Sequence, residues 1–246
     1  MVAPAPAKRA LEEYNRLIAL PWSETEEIGK MLWRLKIDRR KMPADLQTAV
    51  AYLHCLICAG EASEARMEAT DLIHWWRQMD SQLAMSFWQN LLCVGLYEDA
   101  ILLANDLQDA EDVATGRIKA AVGLGDAKLL RSFFPGPGHV HDTAEYLLGR
   151  HDHFLAHQRA IREVVADVQL DIDFAESVGD AVGSIFMIYV KGDRAYRRKL
   201  EEVIDEATAK VAAEFGQPQD ALPLVTLVMS HTAHGPTGVP HRGGRS

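Results

Sequence analysis

The chain has little sulfur: of its 246 residues only three, Cys55, Cys58 and Cys93, are cysteines. An odd, small number without regular spacing excludes a disulfide framework. Long hydrophobic runs are also missing. The longest apolar stretches, 185–190 and 222–229, are strand-sized, and a spanning helix needs roughly 18 apolar residues or more. Residues 1–10 are Pro/Ala-rich and then basic, without the apolar stretch of a secretory signal. Basic excess is absent too: 26 Lys and Arg against 35 Asp and Glu leave a formal net charge of −9. That balance argues against a general nucleic-acid binder, which carries a basic face. G-x-S-x-G, Walker A, G-x-G-x-x-G and H-E-x-x-H do not occur. The expectation is a soluble cytoplasmic protein without membrane or nucleic-acid partner and with no cofactor.

With 48% apolar and 25% charged residues, the chain has enough apolar side chains to bury a core. Apolar positions recur at helical spacing over its first two thirds. Leu11, Tyr14, Leu17 and Ile18 predict a helix over 9–20, stopped by Pro21. Ser23 and Glu26 form a capping box for the next, which runs to about 37. Pro43 suits the first turn of a third, carrying Leu46, Val50, Leu53 and Ile57. Further helices are predicted over about 62–79, 81–94, 97–107, 111–123 and 126–133. After the Pro/Gly linker 135–138, two more follow over 141–149 and 152–166.

The pattern then changes. Val168, Leu170, Ile172 and Phe174 alternate with Gln169, Asp171 and Asp173, which is strand periodicity. Residues 185–190 and 222–229 read as further strands, separated by an amphipathic helix from Tyr196 to about Phe215. The predicted fold class is mainly α: stacked antiparallel helical hairpins, then a small C-terminal strand–strand–helix–strand α/β module. The expected divisions are a flexible lead-in over 1–8, a hairpin-repeat domain over 9–166, the module over 167–230 and a flexible tail over 231–246.

An internal echo supports the hairpins. Gly60 and Gly95 are thirty-five residues apart, as are Ala65 and Ala100, and each pair lies between two helices. Gly123 and Ala127 give a shorter third copy, twenty-eight residues on. The segment Gly95-Leu96-Tyr97-Glu98-Asp99-Ala100 resembles the inter-helix turn of the tetratricopeptide repeat, and the offset is close to that family's period of about 34. The resemblance covers about 43–134. No proline ends a repeat between Gly60 and Gly95. The resemblance implies a concave surface for a protein or peptide.

Each candidate chemical group has a structural reading beside it. Cys55 and Cys58 form a C-x-x-C, the spacing of redox and zinc sites. No second pair completes a four-ligand set, although His54 and His74 are at hand, and free Cys packs well as a small core hydrophobe. His139, His141, Asp142, His151, Asp152, His153 and His157 cluster within nineteen residues. His153 and His157 share a helix face, as metal ligands often do, and His139 and His141 on a preceding turn are placed to reach across. The alternative is a solvated polar junction. Asp171 and Asp173 share a strand face that suits Mg²⁺, or is simply the wet face of a strand. Leu170 to Phe174 resembles the start of a nucleotide-cyclase palm, without that family's Gly-Gly-acidic-acidic-Phe hairpin. Met229-Ser230-His231 resembles the histidine segment of caspase-like peptidases, but no cysteine follows Cys93. Lys191, Arg194, Arg197, Arg198 and Lys199 form a basic cluster, bland as one solvated face. Trp75, Trp76 and Trp88 read as partner anchors or as core.

No catalytic, cofactor or metal residue is assigned from these patterns. The leading functional expectation is a non-enzymatic interaction module (adaptor, chaperone or immunity-type binder) with a protein or peptide partner. The alternative is a metal-dependent enzyme with its site around 139–157. A third reading makes the C-terminal module the working part.

Overall fold

A computed structural model describes Glu12 and residues 25–107, 110–133, 139–164, 169–176, 182–190, 194–216 and 224–229. The predicted lead-in, the tail, most of the helix over 9–20 and the Ser23 cap lie outside the described residues.

Nine helices are described: α1 (Thr25–Lys41), α2 (Leu46–Cys58), α3 (Ala62–Ile73), α4 (Ser81–Cys93), α5 (Tyr97–Leu103), α6 (Ala110–Gly123), α7 (Ala127–Phe133), α8 (His139–Val164) and α9 (Arg194–Glu214). Short 3-10 turns, Trp76–Gln78 and Ala104–Asp106, extend α3 and α5. Pro43 stands just before α2 rather than in its first turn, and Asp45 takes the N-cap position. Asp80 caps α4, its Oδ1 accepting from the Leu83 N–H at 2.9 Å. The two helices expected over 141–149 and 152–166 form one run, kinked at Arg150, whose φ of −139° and ψ of 22° are not helical.

Three hairpins, α2–α3, α4–α5 and α6–α7, share one link of three residues. At the centre of each stands a glycine with positive φ: Gly60 at 73°, Gly95 at 73° and Gly125 at 66°. The hydrogen bonds repeat as well. The glycine N–H bonds to Ile57, Leu92 or Val122, and the next N–H reaches back to Leu56, Leu91 or Ala121, at 2.8 to 3.2 Å. This crossed pair satisfies the last carbonyls of the first helix, and its left-handed residue favours glycine. Glu61, Leu96 and Asp126 then open the second helix, their carbonyls accepting from Ala65, Ala100 and Leu130. All three acceptor-bonded residues are buried, where the second helix crosses the first. The third turn glycine is therefore Gly125, not Gly123. Gly123 belongs to α6, and a Cβ there would lie 2.3 Å from the Tyr97 ring.

Neighbouring helices stack against each other. The first helices of the hairpins, α2, α4 and α6, pack in a row, and α1, α3, α5 and α7 lie alongside as a second row. Ion pairs Lys36–Glu64 and Arg39–Glu68, both 2.7 Å, tie α1 to α3. One core fills α1 to α6, around Leu35, Leu53, Leu56, Leu72, Phe87, Trp88 and Leu91. A second begins on α6 at Ala121 and takes in Leu130, Leu147, Phe154 and Ile161. Burying this much apolar surface is the main driving force for the stack.

The C-terminal α/β module is a correction. The residues whose side-chain surroundings are described lie in helices, 3-10 turns and their links, and none lies in a strand. Three segments pair by backbone register: β1 (Gln169–Glu176) antiparallel to β2 (Val182–Val190), and β2 parallel to β3 (Leu224–Met229). They do not stand beside the helices as a unit of their own. Helix α9, which was to be the module's helix, packs on α8 and buries Leu200 and Ile204 in the second helical core. Segment β1 lies against α4 and α6, and β2 against α8. The apolar residues Leu200 and Ile204 of α9 thus belong to the helical layer, and the fold is mainly α.

Candidate functional site

Helix α8 lies across the turn edge of the hairpin stack. His151 and Leu155 stand by Gly125, Gln158 donates to the Gly123 carbonyl at 3.2 Å, and Arg162 reaches Gly95. With that face fixed on the turns, His153 and His157 turn toward the interior and are only 4% and 1% exposed. Their Nε2 atoms are 2.7 Å apart, the distance of a hydrogen bond between two neutral imidazoles, one donating and one accepting. The rings meet edge to face at 4.2 Å, and the Phe215 ring closes on His153 at 5.2 Å.

Burial lowers both basicities. Desolvation, then the charge of His153, brings His157 down to about 4. Desolvation, then Arg150, lowers His153. Both Nδ1 atoms are buried without a hydrogen-bond partner among the described residues. His139 and His141 stand at the start of the same helix, about three to five turns away beyond the kink. The junction therefore does not gather the four histidines at one turn. Among the described residues no group of three His, Cys, Asp or Glu is placed to hold a metal ion.

The other candidates separate in the same way. Cys55, Cys58 and Cys93 are buried thiols outside any disulfide. Burial pushes Cys55 up to about 12; Cys58 is raised well above the usual thiol range by burial and then by its Cys55 and Cys93 neighbours. Such thiols carry almost no thiolate and are poor nucleophiles. His54 Nδ1 faces the Asn90 amide oxygen at 3.1 Å between α2 and α4. Asp171 and Asp173 stand in β1 opposite Met187 and Ile185 by backbone register. Arg198 and Lys199 are exposed on α9. Trp76 and Trp88 are core, the latter donating to the Ala100 carbonyl at 2.7 Å, while Trp75 is exposed.

Sequence reasoning missed the outer face. Trp33 on α1, Met67 on α3 and Leu102 on α5 are 66%, 70% and 67% exposed. They follow at thirty-four and thirty-five residues, one on each successive helix of the second row. A single exposed apolar residue is ordinary; one per helix at the repeat spacing is a stripe. The period that relates Gly60 to Gly95 also relates Met67 to Leu102, and that offset was the available signal. At the far ends of these hairpins a groove of about 660 Å³ runs between Trp76, Met79, Gln82, Met85, Asp106 and Leu107. The Trp76 indole N–H donates to Asp106 at 3.3 Å across it.

Among the described residues no helix is long and apolar enough to cross a membrane. The chain matches no protein-family model, no curated protein and no solved structure, so the tetratricopeptide likeness rests on the stacked hairpins and their turns alone.

Proposed function

We propose that the protein is a non-enzymatic interaction module that binds a protein or peptide through its stacked hairpins. The observation that carries the reading is the apolar stripe of Trp33, Met67 and Leu102 along three successive helices. Side chains of this size left in water at a fixed repeat gain roughly 25 cal/mol for each Å² that a partner covers. The repeated turn geometry supports it, because identical links space successive helices evenly and give a partner an extended, regular surface. The raised thiols and the paired neutral histidines suit packing better than catalysis.

The test is affinity capture from native lysate with the wild-type chain and a Met67→Glu, Leu102→Glu double variant. Both positions are exposed, so the variant keeps its melting temperature. A partner held by wild type and lost by the variant supports the reading. No partner, or equal capture by both, overturns it.

A further inference from the structure

We infer that Arg66 and Arg162 form a binding site for a phosphate group at the Gly95 turn. The two guanidinium groups come from helices far apart in sequence, α3 and α8, and converge on one residue. Arg66 Nη2 donates to the Gly95 carbonyl at 3.2 Å. Arg162 Nη2 lies 2.9 Å from where a Cβ on Gly95 would stand. The φ of +73° and the missing Cβ let the second guanidinium approach the turn.

Arg162 is half-buried, and among the described residues no carboxylate pairs with it. Burial holds its guanidinium below the usual range; Tyr97 acts the other way, and Arg66 lowers it further. Desolvating one cation beside another is unfavourable unless an anion joins them. Arg66 is exposed, so the turn is open to solvent on that side. The phenol end of Tyr97 stands between Gly95 and Gly123, and Gln158 holds the Gly123 carbonyl. Guanidinium forks suit the tetrahedral oxygens of a phosphate, and one phosphate at the turn would accept from both. The site is independent of the apolar stripe and of the interaction reading.

The test is thermal melting and calorimetric titration of the full chain with inorganic phosphate, at ionic strength held constant with sodium chloride. Wild type is expected to show a saturable rise in melting temperature. Arg66→Gln, at an exposed position, is expected to raise the half-saturating concentration by about ten-fold or more, the usual scale for losing one charge-assisted contact. Arg162→Gln is expected to abolish the response and, without phosphate, to melt no lower than wild type, because it removes an uncompensated cation. Arg162→Lys keeps the charge without the fork and falls between the two. Tighter saturation by O-phosphoserine than by inorganic phosphate also supports the site and identifies a phosphorylated ligand as its source. An equal rise in wild type and Arg66→Gln is the general salt effect and overturns the proposal. So does saturation by glutamate and not by phosphate, or a lower melting temperature of Arg162→Gln in phosphate-free buffer.

Discussion

His153 and His157 are hydrogen-bonded to each other, Nε2 to Nε2 at 2.7 Å, one turn apart on the helix that crosses the hairpin turns. Both are neutral in the fold, because burial lowers their basicity, that of His157 from 6.5 to about 4. In the unfolded chain they regain their ordinary values. Between those limits the unfolded state binds more protons, so stability is complete above about 6.5 and is lost as pH falls toward 4. Melting followed by circular dichroism is expected to lose roughly 2–3 kcal/mol of stability over that window. In His157→Leu the loss is expected to shrink by more than half. An unchanged slope in that variant refutes the assignment.

Gly116 makes room for a ring. A Cβ there would lie 2.1 Å from Cη2 of Trp88 and 2.8 Å from Cδ1 of Leu92. Alanine favours a helix by about 1 kcal/mol over glycine, but overpacking a filled core costs about 1–3 kcal/mol. Gly116→Ala is therefore expected to lower the urea midpoint. Gly29→Ala, in a helix with nothing within 4 Å, is expected to raise it. The same direction for both would mean that α6 and α4 do not meet through Trp88.

At Gly95 the backbone carries the cost. The φ of +73° is strained for any L side chain, by about 1–2 kcal/mol. The Arg162 guanidinium is a flexible end that gives way more cheaply than the backbone does. Gly95→Ala is expected to lose stability in urea titration by that amount, and to lose most of it again in an Arg162→Gln background. Full recovery there would put the cost in the side-chain contact instead.

The cysteines offer a clock for opening. Cys55, Cys58 and Cys93 are buried, and the first two are poor thiolates at neutral pH. Native protein is expected to resist a disulfide-exchange reagent at pH 8, and all three are expected to react once urea unfolds the chain. Fast native labelling of any one would show local opening at the α2–α4 contact.

The helices were legible because their apolar residues recur at helical spacing and glycines punctuate them. Val50, Leu53 and Ile57, the apolar positions that predicted the third helix, are buried. Gly60 and Gly95 are the turn residues that the echo suggested. The third turn was misplaced because two glycines stand two residues apart there, Gly123 and Gly125, and only Gly125 takes positive φ. The neighbour that separates them is Tyr97, which occupies the space beside Gly123. The break read between 149 and 152 is present as the kink at Arg150, although the two helices join into one run. The strand alternation around Asp171 and Asp173 was read as a module boundary, whereas the helix after it belongs to the helical core.

By itself the sequence determined the local matters: which stretches are helical, where they break, and that two hairpins repeat at one spacing. These depend on residues within a few positions of one another. Only the tertiary structure decided that His153 and His157 face inward, that Arg162 meets Arg66 at Gly95, and that Trp33, Met67 and Leu102 stay in water. Each of those outcomes depends on which distant surface covers a helix face, and helical periodicity gives the face without saying what covers it.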